Sequence, residues 1–263
     1  MLGKLLKYDL KWIYKVVVVF YVLALIFSVI GRVLSEIENS LVFSVLSKIS
    51  IGIAISMLVN ILINCFIRLW ARFVKNIYKD EAYLTHTLPV TKKKIYDSKI
   101  ISTLVCIFTT TIVILACLFI CYYSESTIQA LKTALELAAS TYDTTVLKLL
   151  LLMSFVIFLE ILFFVFIGYV GIILGHKSNR NKMLRSIVIS FAIYFGLQIA
   201  TILSIFIIAL FNPEVMNLFN TTDVISIDAI KIAMYLGIGV YIIYISFLYI
   251  IGKRQLEKGV NVE

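Results

Sequence analysis

Six long runs, free or nearly free of charge, organise the chain: residues 16–31, 49–67, 100–124, 149–175, 186–212 and 232–252. A helix needs about 20 mostly apolar residues to cross the roughly 30 Å hydrocarbon layer, so each run predicts a membrane-spanning helix. The first is short and must tilt or borrow residues from Trp12 onward. The fourth carries the one charged side chain within the six runs, Glu160. Only helices and closed barrels satisfy every backbone donor and acceptor inside lipid, and these runs are too long, and lack the alternation, for barrel strands. The expected fold is all-α: a polytopic membrane protein of about six transmembrane helices with an N-terminal interfacial amphipathic helix, forming one membrane domain over 1–263.

Between the runs the pattern changes. In 1–15, Leu2, Leu5, Leu6, Leu10 and Ile13 recur at helical spacing while Lys4, Lys7, Lys11 and Lys15 take the opposite face. That predicts a helix lying in the membrane interface, with Trp12 and Tyr14 at headgroup depth. The link 68–99 begins as a continuation of the second span, where Arg68, Arg72, Lys75 and Lys79 form one basic stripe. Asp80 and Glu81 then suit a helix start, Pro89 forces Leu88 out of helical geometry, and Thr91 can cap the following helix. A short helix and a turn held between two longer helices are predicted. In 124–148, Ile128, Leu131, Leu135 and Ala139 share a face, which predicts a helical excursion. The last connection, around Asn212 and Pro213, is short and polar, and Asn220-Thr221-Thr222 within it matches a glycosylation acceptor.

Composition agrees with a membrane protein: 62% of residues are hydrophobic, 15% charged, and the mean hydropathy is +1.03, more apolar surface than a water-soluble fold of this size could hide. The net charge of +9 reads as topology, because positive connections stay cytoplasmic. With the N-terminus inside, the cytoplasmic segments hold most of the Lys and Arg, including Lys4 to Lys15, the link, Lys177, Arg180, Lys182, Arg185, Lys253, Arg254 and Lys258. Only Arg32, Lys48, Lys132, Lys148 and Lys231 fall on the opposing side, among Glu36, Glu38, Glu125, Glu136, Asp143, Glu214, Asp223 and Asp228. This predicts a multi-pass protein of the cell membrane with both termini cytoplasmic, and needs no nucleic acid to explain the charge. Cys65, Cys106, Cys117 and Cys121 all fall in spans and read as small buried hydrophobes, without disulfide or zinc spacing.

Candidate chemistry is sparse. Gly171 to Ser178 has a superficial likeness to a phosphate loop, but His176 stands where the second glycine must be and the segment ends a span. Two histidines, His86 and His176, cannot build a histidine metal cage. No catalytic group, metal or cofactor is therefore expected. Glu160 is costly in a span: it either contacts substrate or a packing partner, or is protonated and hydrogen-bonded to a neighbouring helix. Asn60 and Asn64, one turn apart, can glue helices together or line a path. Lys231 can snorkel to the headgroups.

The link carries a resemblance. Asp80-Glu81-Ala82-Tyr83-Leu84-Thr85-His86-Thr87-Leu88-Pro89-Val90-Thr91, then Lys92, Lys93 and Lys94, then Ser98-Lys99, resembles the permease subunits of type 2 ABC transporters, particularly the small stand-alone ones of Gram-positive bacteria. Those share an acidic-x-Tyr-Leu-x-x-x-Leu-Pro-Val pattern followed by a basic cluster and Ser-Lys. The resemblance implies that the link acts as a coupling helix docking on a separate ATP-binding cassette subunit, through Glu81, Tyr83, Leu84, Thr85, Leu88 and Pro89. It further implies a second permease copy or paralogue, an exported substrate of unknown identity and contact with membrane lipid, with ATP hydrolysis left to the partner. The large outer domain of some peptide-sensing relatives is absent. The alternative is a non-transporting immunity or assembly factor that binds a partner through the same link.

Overall fold

The structure is a computed structural model, describing residues 2–37, 41–178, 180–216 and 227–259; the triplet at Asn220 lies outside them. Among the described residues there are nine helices and no strand. In order they are α1 (Leu2–Glu36), α2 (Leu41–Ile77), α3 (Ala82–Thr87), α4 (Lys92–Tyr122), α5 (Glu125–Thr141), α6 (Val146–Gly175), α7 (Lys182–Phe211), α8 (Pro213–Met216) and α9 (Ile227–Glu257). Six of them, α1, α2, α4, α6, α7 and α9, are long and apolar enough to cross a membrane, which makes the protein an all-α multi-pass membrane protein. Their packing gathers into two compact units, one ending at Lys132 and the other beginning at Thr133.

In the first unit α1 and α2 are antiparallel, with Gly31 of α1 against Ser50 and Ile51 of α2 at one end and Asp9 against Arg72 at the other. The latter end, which also carries α3, is called the base below. α4 runs parallel to α1: Tyr14 Oη lies 2.5 Å from Thr109 Oγ1 and Tyr21 Oη 2.7 Å from Thr110 Oγ1. The seam follows from helical periodicity. On α1 the buried residues are Asp9, Ile13, Val17, Tyr21, Ala24, Ser28 and Gly31, each three or four after the last, which keeps them on one face. Helix α1 passes residue 15 without a break, so the interfacial segment expected over 1–15 is not a separate element but the leading turns of the first span. No proline, glycine or cap intervenes there to end it.

The second unit packs α6 against α7 and α9. From Leu162 to Gly175 almost every residue of α6 except Glu160's neighbour Phe164 and Leu174 is buried, the pattern of a helix covered on all sides. Gly171 and Gly175 allow this. A Cβ on Gly171 would lie 2.9 Å from the Ser186 carbonyl oxygen, and one on Gly175 would lie 2.6 Å from Ser186 Cα. The two glycines, four apart, thus face Ser186 and Ser190, also four apart, as small residues do where membrane helices approach closely. The glycines that gave this segment its likeness to a phosphate loop serve helix packing. The excursion expected over 124–148 is α5, with Ala139 of its apolar face buried.

Candidate functional site

The link is built as its local chemistry dictates. Helix α2 ends at Ile77, and a turn closed by Glu81 N–H donating to the Lys75 carbonyl (3.2 Å) and Ala82 N–H to the Lys79 carbonyl (2.7 Å) leads into α3. Leu88 is extended (φ −63°, ψ 142°), as a residue before proline must be, and ends α3. Thr91 caps α4, its hydroxyl accepting from Lys94 N–H at 3.5 Å. Six residues of α3 are too few to be stable alone, so its position depends on what holds it from behind.

A cluster of charge holds it. Asp9 Oδ1 accepts from Arg72 Nε at 2.8 Å and from Lys99 Nζ at 2.6 Å, and Ser98 Oγ donates to Oδ2 at 3.5 Å. Arg72 Nη1 reaches onward to Glu81 Oε2 at 2.5 Å, where Asn76 Nδ2 also donates at 3.1 Å. Lys75 Nζ lies 3.6 Å from Glu81 Oε1. Asp9, Arg72 and Lys99 are all buried. Unpaired, each would carry a penalty of several kcal/mol; together the two carboxylates match the two most buried cations. The guanidinium groups of Arg68 and Arg72 also stack on Trp12, 5.0 and 5.6 Å from its ring. Burial of the Glu81 carboxyl opposes ionisation, but the Arg72 charge, the Asn76 and Arg72 hydrogen bonds and Lys75 together hold its pKa below the usual carboxylate value.

The cluster ties three helices, α1, α2 and α4, and the residue that precedes α3 into one base. At the end of α2, in the turn after it and at the start of α4, Phe73, Ile77, Tyr78, Ile95 and Tyr96 are all buried; Phe73 meets Tyr96 edge-on at 6.3 Å between ring centroids. His86 Nε2 is 3.1 Å from the Ile77 carbonyl oxygen, and Thr85 is buried, its hydroxyl donating to the Glu81 carbonyl at 2.9 Å. The face turned away is apolar: Tyr83 is 69% exposed, Leu84 72% and Leu88 42%, and Pro89 is exposed beside them.

The six residues assigned to docking therefore separate. Tyr83, Leu84, Leu88 and Pro89 form an outward apolar surface, while Glu81 and Thr85 face the base and position that surface. The basic stripe expected along the link is also divided, since Arg72 turns inward and Lys79 stays exposed. Tyr14, expected at headgroup depth, turns its hydroxyl to Thr109 of α4. Asp9 was not legible as a site residue; the available signal is its place four residues before Ile13, on the same face as the buried stripe.

Asn60 Nδ2 donates to the Ser56 carbonyl and Asn64 Nδ2 to the Asn60 carbonyl, both at 2.9 Å, so these amide donors serve their own helix. Glu160 is exposed on α6. No group of three or more metal-ligating side chains occurs among the described residues. Neither a family model, a curated protein nor a solved structure matches the chain.

Proposed function

We propose that this chain is the membrane-spanning permease subunit of an ATP-driven exporter of the cell membrane, working with a separate ATP-binding cassette subunit and a second permease copy or paralogue. The observation that carries this reading is the exposed apolar surface of Tyr83, Leu84 and Leu88, on and just after a short helix whose preceding residue, Glu81, is clamped by charge. Such a helix is a handle: a partner seated on α3 displaces Glu81, Glu81 pulls Arg72, and Arg72 acts through Asp9 on α1 and, with Lys99, on α4. Interfaces and packed helices have discrete arrangements, so a small displacement at one end selects between them. The link's motif resemblance supports the same assignment, and the base would face the cytoplasm by the distribution of Lys and Arg.

The test is co-purification of the tagged full-length chain from mild detergent with its ATPase subunit, comparing wild type with the Leu84→Asp/Leu88→Asp variant. Both leucines are exposed, so the variant keeps its helical content. The expected result is an ATPase that accompanies the wild type and is lost from the variant. An ATPase retained by the folded variant overturns the docking surface; a wild-type chain that purifies with no ATPase overturns the permease assignment in favour of a non-transporting partner-binding protein.

A further inference from the structure

Two turns inward from the charge cluster, α2 and α4 bring a pair of thiols together. Cys65 lies seven residues before Arg72, Cys106 seven after Lys99, and their sulfurs are 3.3 Å apart. Both are buried, at 1% and 0% exposure. Thr110 Oγ1 donates to Cys65 Sγ at 3.7 Å and is itself hydrogen-bonded to Tyr21 of α1. A disulfide needs the sulfurs at about 2.05 Å, so a modest closing of the α2–α4 seam suffices. Residues 65 and 106 bracket the entire link, and a bond between them closes a ring that contains α3.

We propose that Cys65 and Cys106 are a redox-reactive dithiol pair, closed to a disulfide by a lipid-soluble two-electron oxidant, and that this bond pins α2 to α4 around the link. The balance is simple. With an azodicarboxamide oxidant, one cysteine sulfur, as thiolate, adds to one azo nitrogen while the other nitrogen takes up a proton. The second sulfur then attacks the first, forming the S–S bond and breaking the S–N bond, and the hydrazine leaves with the second proton. Two thiols are oxidised and the azo group is reduced. A membrane quinone accepts the same two electrons and two protons to give the hydroquinone. Burial in the seam favours oxidants that partition into lipid.

The experiment treats the full-length chain in membranes with diamide, blocks remaining thiols with maleimide, and counts and maps them after denaturation. The protein starts with four free cysteines. The expected outcome is a fall to two titratable thiols, recovery of all four with dithiothreitol, and a peptide map that joins the Cys65 and Cys106 segments. The Cys117→Ser/Cys121→Ser variant should behave likewise, while Cys65→Ser should form no such bond. The oxidised protein should also resist proteolysis in the link more than the reduced one. Retention of four thiols, a bond mapped to Cys117 or Cys121, or an unchanged link overturns the proposal. The wild-type map decides the bond even where the serine variants fail to fold.

Discussion

The α1–α2–α4 base and the α6–α7 seam are both places where apolar helices pack closely, and they achieve it by opposite means. Inside a bilayer the lipid tails are as apolar as a leucine, so burial of apolar area does little to hold helices together. The base uses ions, with Asp9 at the centre of Arg72, Lys99 and Ser98. The α6–α7 seam instead removes side chains, setting Gly171 and Gly175 against Ser186 and Ser190. An ion cluster is directional and breaks when one member moves, so it can report displacement. A glycine–serine seam is short-ranged and works only in one register. The helix that needs positioning, α3, is attached to the first kind of contact.

Substitutions separate the two, beginning with the largest effect. Asp9→Ala leaves Arg72 and Lys99 buried without their shared carboxylate and should cost about 3–5 kcal/mol, read as a large drop in the unfolding midpoint in detergent. The double variant Asp9→Asn/Lys99→Met should be less damaging than Asp9→Asn alone, because it removes one of the stranded charges. Strictly additive losses would show that the two do not act as a pair. Gly175→Leu forces side-chain atoms into the backbone of Ser186 and should cost about 1–3 kcal/mol, with the loss confined to the second unit when hydrogen exchange is followed along the chain.

Glu81→Gln is milder, a few tenths to about 1 kcal/mol, because the carboxylate is partly solvated. Its readout is the link: the variant should be cut by protease between α2 and α4 faster than wild type at neutral pH. The depressed pKa of Glu81 sets the sign of the pH dependence. Its contribution is present above the ordinary carboxylate pKa of about 4.3 and is lost as pH falls through the lower value of the folded chain. Wild type should therefore approach the variant's cleavage rate only in acid, and equal rates at neutral pH would remove Glu81 from the clamp. Glu160→Gln should have the smallest effect on the isolated chain, since that side chain is exposed. A drop of more than about 1 kcal/mol would reveal an intramolecular role.

The differences in cover sharpen the comparison. In the most apolar stretches of α1, α2 and α4, 28% of residues are buried, against 6% in those of α7 and α9. Met183, Ile187, Phe191 and Phe195 are among the large apolar side chains that α7 leaves exposed. In a membrane such faces cost nothing against lipid. Exposure here does not signal a destabilised fold.

Much of this molecule was legible in advance because it depends on neighbours in sequence. The six spans follow from charge-free runs against a fixed bilayer thickness, the break at Leu88 from the proline after it, and the α4 start from a threonine three residues before an unsatisfied N–H.

Contacts distant in sequence were not legible. Asp9 and Lys99 are 90 residues apart, and nothing local to either announces that one carboxylate will neutralise charges from two other helices. Read locally, Arg72 belonged to one basic stripe, and nothing marked Cys65 and Cys106 as neighbours or Gly171 and Gly175 as the face that meets Ser186 and Ser190. Each of these contacts is set by the register in which the helices meet. The number and extent of helices thus come from local hydrophobicity and backbone hydrogen bonding. Which polar side chains are buried, and with whom, comes from helix rotation and axial offset, because one face of each helix must find its charge and shape complement on another.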